Sequence, residues 1–223
     1  MPRRPTRILA LALAAALAPA ARAGEAEGAK AGCSKCPPAP ARAEARTGAA
    51  ALAAVEVKVV DRPLLDQHGA RLRFAKDVVG DDVVVMDFVF TTCTTICPVL
   101  TAKFARLQAE LGERLGRGVK LVSVSLDPVR DTPERLLAFG AKHRAGPHWS
   151  FLTGAKDDVD EVLKGLGAYV ADFGAHPPMV LVGDGRTGRW LRVNGFPDPK
   201  RIVELVDELR PAGKPVPARG ERS

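Results

Sequence analysis

The sequence predicts one α/β domain built as a three-layer sandwich. Three observations carry that expectation: a strand, Val83 to Phe90, apolar at nearly every position; regular alternation of strand and helix patterns around it; and a closing strand pair followed by one last helix. A run that is apolar on both faces suits a strand in the middle of a sheet, and the alternation supplies helices to cover it. The chain has 223 residues, room for one domain of about 160 residues once a leader and a polar stretch are set aside.

Met1 to Ala23 reads as an export signal. Arg3, Arg4 and Arg7 precede an apolar run from Ile8 to Ala18, and Ala21-Arg22-Ala23 gives a small-x-small ending before Gly24. That run is short of the roughly 20 residues that span a bilayer, which favours cleavage over a retained anchor. The formal charge is +7, and the leader holds four arginines and no acid, so the mature chain carries +3. Its Lys and Arg are interspersed with Asp and Glu, without a basic stripe, which argues against a nucleic-acid partner. Residues 24–54 are mostly Ala, Gly, Pro and charge, too little apolar surface to offset ordering entropy, and read as a flexible linker. The linker carries Cys33-Ser-Lys-Cys36, for which a local disulfide is the plain expectation and a second thiol or copper relay the alternative. The folded domain is expected over 55–212, with a polar tail over 213–223.

Within the domain, Val55 to Val60 alternates as a strand does, and Leu64 to Phe74 reads as a hairpin with Gly69 in its turn. After the Val83 strand, Leu100, Phe104, Leu107 and Leu111 show helical spacing from Cys97 to about Leu115, with Pro98 in the first turn, where a missing N–H costs little. Val119 to Leu126 is the next strand. Asp131-Thr-Pro-Glu134 announces a helix by cap residue, early proline and acid, running to about His143. Trp149 to Leu152 is a short strand and Asp157 to Tyr169 a helix. Met179–Val182 and Arg189–Val193 make a hairpin across the turn at Gly183 to Gly188, and Pro199–Leu209 is the last helix.

The chemistry is expected where the central strand hands over to a helix, at Phe88-Val-Phe-Thr-Thr-Cys93-Thr-Thr-Ile-Cys97-Pro98. A thiol at a helix N-terminus faces free backbone N–H groups and the positive end of the helix dipole, which favour the thiolate, the form that attacks and that binds metal. With three residues between them, the sulfurs suit a short disulfide or a shared soft metal ion, and spacing alone does not choose. Export places them in an oxidising compartment.

Phe88-Val-Phe-Thr-Thr-Cys93-x-x-x-Cys97-Pro, then Ser125-Leu-Asp127-Pro-Val-Arg-Asp131-Thr-Pro-Glu134, Phe151-Leu-Thr-Gly154, and His176 ahead of Val180-Leu-Val-Gly-Asp-Gly185, resemble the Sco/SenC family in its motif order over roughly 57–209. The resemblance implies a thioredoxin-like fold with an N-terminal β-hairpin extension. It also implies one copper ion, Cu(I) or Cu(II), held by Cys93, Cys97 and His176. The implied role is maturation of the dinuclear copper centre of cytochrome c oxidase, with subunit II or another copper-accepting protein as partner. Separately, export and an Ala- and Arg-rich composition of the high-GC bacterial kind point to the periplasm, and a monomer is expected. Soft sulfur suits Cu(I), and an imidazole nitrogen helps tolerate Cu(II). His68, His143 and His148 have no such context and are expected at the surface.

Other residues near these motifs carry expectations of their own. Pro178, before a strand, resembles the cis-proline of thioredoxins. Met179 is a thioether donor or, as is commoner, core packing. Asp87 is similar to the buried acid of thioredoxins that assists thiol deprotonation, or else stands on the strand's less buried end paired to a base. Asp127 ends a strand, with a copper or thiol role as the alternative, and Asp131 fits a helix cap. The main reading is therefore a metallochaperone. Its rival is a thiol-disulfide oxidoreductase with Cys93 and Cys97 as the redox pair and a thioredoxin-like protein as reductant. A peroxidase is set aside, because the threonine and arginine arrangement that polarises a peroxide is not recognisable.

Overall fold

In the computed structural model residues 52–210 are described. The expected leader, nearly all of the linker with Cys33 and Cys36, and the tail lie outside the described residues. In chain order the elements are β1 (Leu52–Val55), β2 (Pro63–Asp66), β3 (Arg71–Arg73), β4 (Val83–Val89), α1 (Ile96–Leu111), β5 (Val119–Ser125), α2 (Pro133–Lys142), β6 (Trp149–Thr153), α3 (Lys156–Gly165), β7 (Met179–Asp184), β8 (Arg189–Asn194) and α4 (Pro199–Leu209). The strands form one sheet in the order β1-β8-β7-β4-β5-β6-β2-β3.

Every residue of β4 is buried, as its nearly all-apolar run requires. Alternate side chains enter two separate cores, one on each face of the sheet. Val83, Val85 and Val89 pack beneath α1, α2 and α4 with Phe104, Leu107, Leu136 and Leu205. Val84, Met86 and Phe88 pack on the other face with Val159, Val162 and Leu163 of α3 and with Phe74 and Val78 from a single turn of wide helix at Phe74–Val79. Each large apolar side chain buried this way contributes about 1.5–3 kcal/mol relative to exposure. Parallel pairing with β5 runs from Val83↔Val119 to Val89↔Ser125, and β7 pairs antiparallel on the other side. The C-terminal ends of β4 and β5 therefore open on the same edge.

Two helices begin with a side-chain cap just ahead of a proline. Thr132 accepts from the Arg135 N–H ahead of Pro133, and Asp198 accepts from the Lys200 N–H at 2.9 Å ahead of Pro199. Gly69, at φ 78°, turns the β2–β3 hairpin. Gly183 lets β7 pass the Trp190 ring, to which a Cβ there would come within 2.2 Å.

Two expectations need correction. The first strand is Leu52–Val55, which pairs with β8, whereas residues 56–60 make no ladder. They cross from one edge of the sheet to the other, with Lys58 N–H donating to the Gly165 carbonyl at 2.9 Å and Val57, Val59 and Val60 resting on the α3-side core. Their alternation records burial of one side, not strand pairing. The third helix stops at Gly165, because the N–H groups of Ala168 and Tyr169 both turn back to the Leu163 carbonyl. Among the described residues no helix is long and apolar enough to cross a membrane.

Candidate metal and thiol site

After β4 the chain makes a tight loop, with Cys93 N–H donating to the Phe90 carbonyl at 3.1 Å, and then enters α1. Thr95 at the helix start gives no side-chain cap. The Cys93 sulfur takes that place: the Cys97 N–H donates to its Sγ at 3.3 Å. Cys93 is half-buried and Cys97 is buried in the first turn, and both are free thiols. Burial pushes the Cys93 thiol up, but hydrogen bonds from the Cys97 thiol and from the Cys97, Thr95 and Ile96 N–H groups outweigh it and bring the thiol below its ordinary range. Cys97 is pushed up to about 12, first by burial and then by its hydrogen bond to Cys93. One sulfur is thus poised to ionise and its partner to stay protonated.

His176 follows a short turn at Phe173–Ala175 and is 8% exposed. Burial lowers its pKa, opposed by a hydrogen bond to the Ala168 backbone, so the imidazole is neutral, as a ligand must be. Its Nε2 is buried with no hydrogen-bond partner. Two ring contacts seat this loop against the end of β4 and the residue that follows it: His176 against Phe88, centroids 5.4 Å apart, and Phe173 edge-on to Phe90 at 5.1 Å. The structure brings the two thiols together. Among the described residues no three His, Cys, Asp or Glu side chains converge closely enough to hold a metal.

The remaining candidates sort by burial. Asp87 is fully buried, which removes the reading of an acid at an exposed strand end. It accepts from Ser123 Oγ, its Oδ2 has no partner, and burial raises its pKa to about 7 against that hydrogen bond. Met179 is packed in the α3-side core. Asp127 is buried and pairs with Arg130 at 3.0 Å. Asp131 is not the α2 cap, since Thr132 fills that role. Its carboxylate instead accepts from Thr91 and Ser125. Pro178 is not cis, as no described residue has a cis peptide bond; its carbonyl accepts from the Gly195 N–H at 2.7 Å. His68 and His148 are exposed, while His143 is half-buried against Phe139 at 4.9 Å. Ser123 and the Phe90–Phe173 pair escaped sequence reasoning because their partners lie on other elements.

A family model described as SCO1/SenC matches residues 60–179, more than half of the chain and a span that includes Cys93, Cys97 and His176. The chain belongs to the SCO1/SenC family. It is similar to the SCO1 protein homolog of Bacillus subtilis, 39% identical over 93 residues that cover 40% of this chain and 47% of the relative. It is also similar to a candidate copper-binding protein of Stutzerimonas stutzeri, 34% identical over 83 residues, 37% of this chain and 40% of the relative. The chain thus spans about half the length of the curated relatives it matches. The crystal structure of a SCO1/SenC family lipoprotein from Bacillus anthracis is 26% identical with a TM-score of 0.61, covering 70% of this chain and 96% of that one. The fold is the thioredoxin-like sandwich of this Sco family neighbour.

Proposed function

We propose that this chain is an exported copper carrier that holds one copper ion with Cys93, Cys97 and His176 and delivers it to a copper-accepting protein. Subunit II of cytochrome c oxidase is the acceptor that the family implies. The observation that carries the reading is the unpartnered Nε2 of His176, buried against Phe88 on the strand that leads into the thiol pair. Leaving a buried polar atom unmatched costs about 1–3 kcal/mol, and a ligand that accepts its lone pair offsets that cost. Two sulfurs and a neutral imidazole suit copper and leave it exchangeable with an acceptor's own thiols or imidazoles. The test is titration of the reduced full chain with Cu(I) against a coloured chelator. One high-affinity copper per chain is expected, weakened at least tenfold in His176→Ala and lost in the Cys93→Ser/Cys97→Ser double variant. Equal binding by wild type and the double variant would overturn the reading.

The unequal thiols favour a second activity on the same residues. Cys93, half-exposed and low, is suited to attack a partner's disulfide; Cys97 then displaces the partner's sulfur from Cys93, leaving the partner reduced and Cys93–Cys97 oxidised. A thioredoxin-like reductant would restore the pair. This exchange survives His176→Ala, whereas the copper affinity does not.

A further inference from the structure

The copper reading leaves Asp131 without a task, although it has no solvent exposure. Its Oδ1 accepts from Thr91 N–H at 3.0 Å and from Thr91 Oγ1 at 2.6 Å, and its Oδ2 accepts from Ser125 Oγ at 2.7 Å. The Asp127 N–H donates to the same Ser125 oxygen at 3.0 Å, so the serine proton is free to point at the carboxylate. All three donors that converge on Asp131 are neutral. Burying a carboxylate in such company is costly, and α2 gains no cap from it. What the carboxylate does is join two loops: Thr91 stands two residues before Cys93, and Ser125 ends β5. The two strand ends are also joined by the last ladder pair, Val89 with Ser125, and by the Leu126 N–H, which donates to the Val89 carbonyl at 2.8 Å.

We propose that Asp131 is the positioning residue of the cysteine loop, latching Thr91 to the end of β5 and thereby setting the redox poise of the Cys93–Cys97 pair. The proposal rests on the reading above only in taking these two cysteines as the working pair. In the dithiol form the Cys93 sulfur lies against the first N–H groups of α1, an arrangement that depends on where the loop sits. Releasing Thr91 loosens that arrangement, so the dithiol loses stabilisation relative to the disulfide. Leucine at position 131 branches as the carboxylate does but offers no acceptor to Thr91 or Ser125, which breaks the latch without emptying its space.

The test equilibrates the full chain in glutathione buffers without copper, traps free thiols, and reads the Cys93–Cys97 peptide by mass. Asp131→Leu is expected to shift the equilibrium about tenfold toward the disulfide, about 30 mV, and Thr91→Val to shift it the same way by less, since the N–H of residue 91 keeps its contact. Thr91→Ser keeps both contacts and holds the wild-type value. The double variant shifts no further than Asp131→Leu alone, because that substitution already removes the contact that Thr91→Val removes. Leu205→Ala, in the core beneath α4, lowers the urea midpoint and leaves the potential in place. A wild-type potential in both Asp131→Leu and Thr91→Val, additive shifts in the double variant, or an equal shift in Leu205→Ala would each overturn the proposal. No copper enters the measurement, so its failure leaves the copper reading standing, and a failed copper titration leaves the latch standing.

Discussion

Lys120 and Asp87 lie on neighbouring strands toward opposite ends of the same sheet, and their surroundings differ in kind. Around Lys120 charge is matched: its Nζ pairs with Asp82 at 2.8 Å and donates to the carbonyls of Asp77 and Val78. Nearby, the Arg210 guanidinium donates to the Gly118 carbonyl at 2.8 Å. Toward the other end Asp127 pairs with Arg130, but Asp87 accepts only from the neutral Ser123, and Asp87 Oδ2, His176 Nε2 and Thr153 Oγ1 have no hydrogen-bond partner. Buried polar atoms are almost always satisfied, so an end of the sheet with three unsatisfied atoms and a poised thiol is one where stability has been given up for chemistry.

The largest effect that sharpens this contrast is on the thiols. Cys93→Ser is expected to lower Cu(I) affinity at least a thousandfold while moving the urea midpoint little, because Cys93 is half-exposed; unchanged affinity would break the assignment. The next is Asp87→Asn. A pKa of about 7 in the folded chain against an ordinary 3.8 means that the native state keeps a proton the unfolded chain has lost. Stability therefore falls as pH rises through that window, by at most about 4 kcal/mol, and is level above it. The variant lacks this penalty, so its urea stability should exceed wild type above pH 7 by an amount that closes toward pH 4. A gap independent of pH would show that Asp87 does not titrate there. The smallest belongs to the matched end. Lys120→Met, removing a partly buried ion pair, should cost about 1 kcal/mol and leave copper affinity and thiol exchange as they were.

Local patterns made much of the fold legible. The apolar run of β4, Gly69 in the hairpin turn, and Pro98 and Pro199 in first helical turns depend on neighbours in sequence, and the structure has them where they were expected. The pair Cys93 and Cys97 was legible for the same reason, since strand, loop and helix start are contiguous. What sequence left open depends on partners far along the chain. Asp87 could be buried or half-exposed until Ser123 and α1 were placed over it. Asp131 satisfies the local rule for a helix cap, and only Thr91, forty residues away, shows that its carboxylate is engaged elsewhere. Residues 56–60 alternate like a strand because one side is buried, and nothing local reveals that they cross the sheet between its edges.

The most direct test of the central claim is X-ray absorption at the copper edge of the loaded, full-length protein, compared with His176→Ala. The account expects two sulfur scatterers and one imidazole in wild type, with the imidazole signature absent from the variant. Two sulfurs alone in both proteins would contradict it: the unpartnered His176 Nε2 would then not be a ligand, and the site would be a thiol pair that handles copper or disulfides by itself.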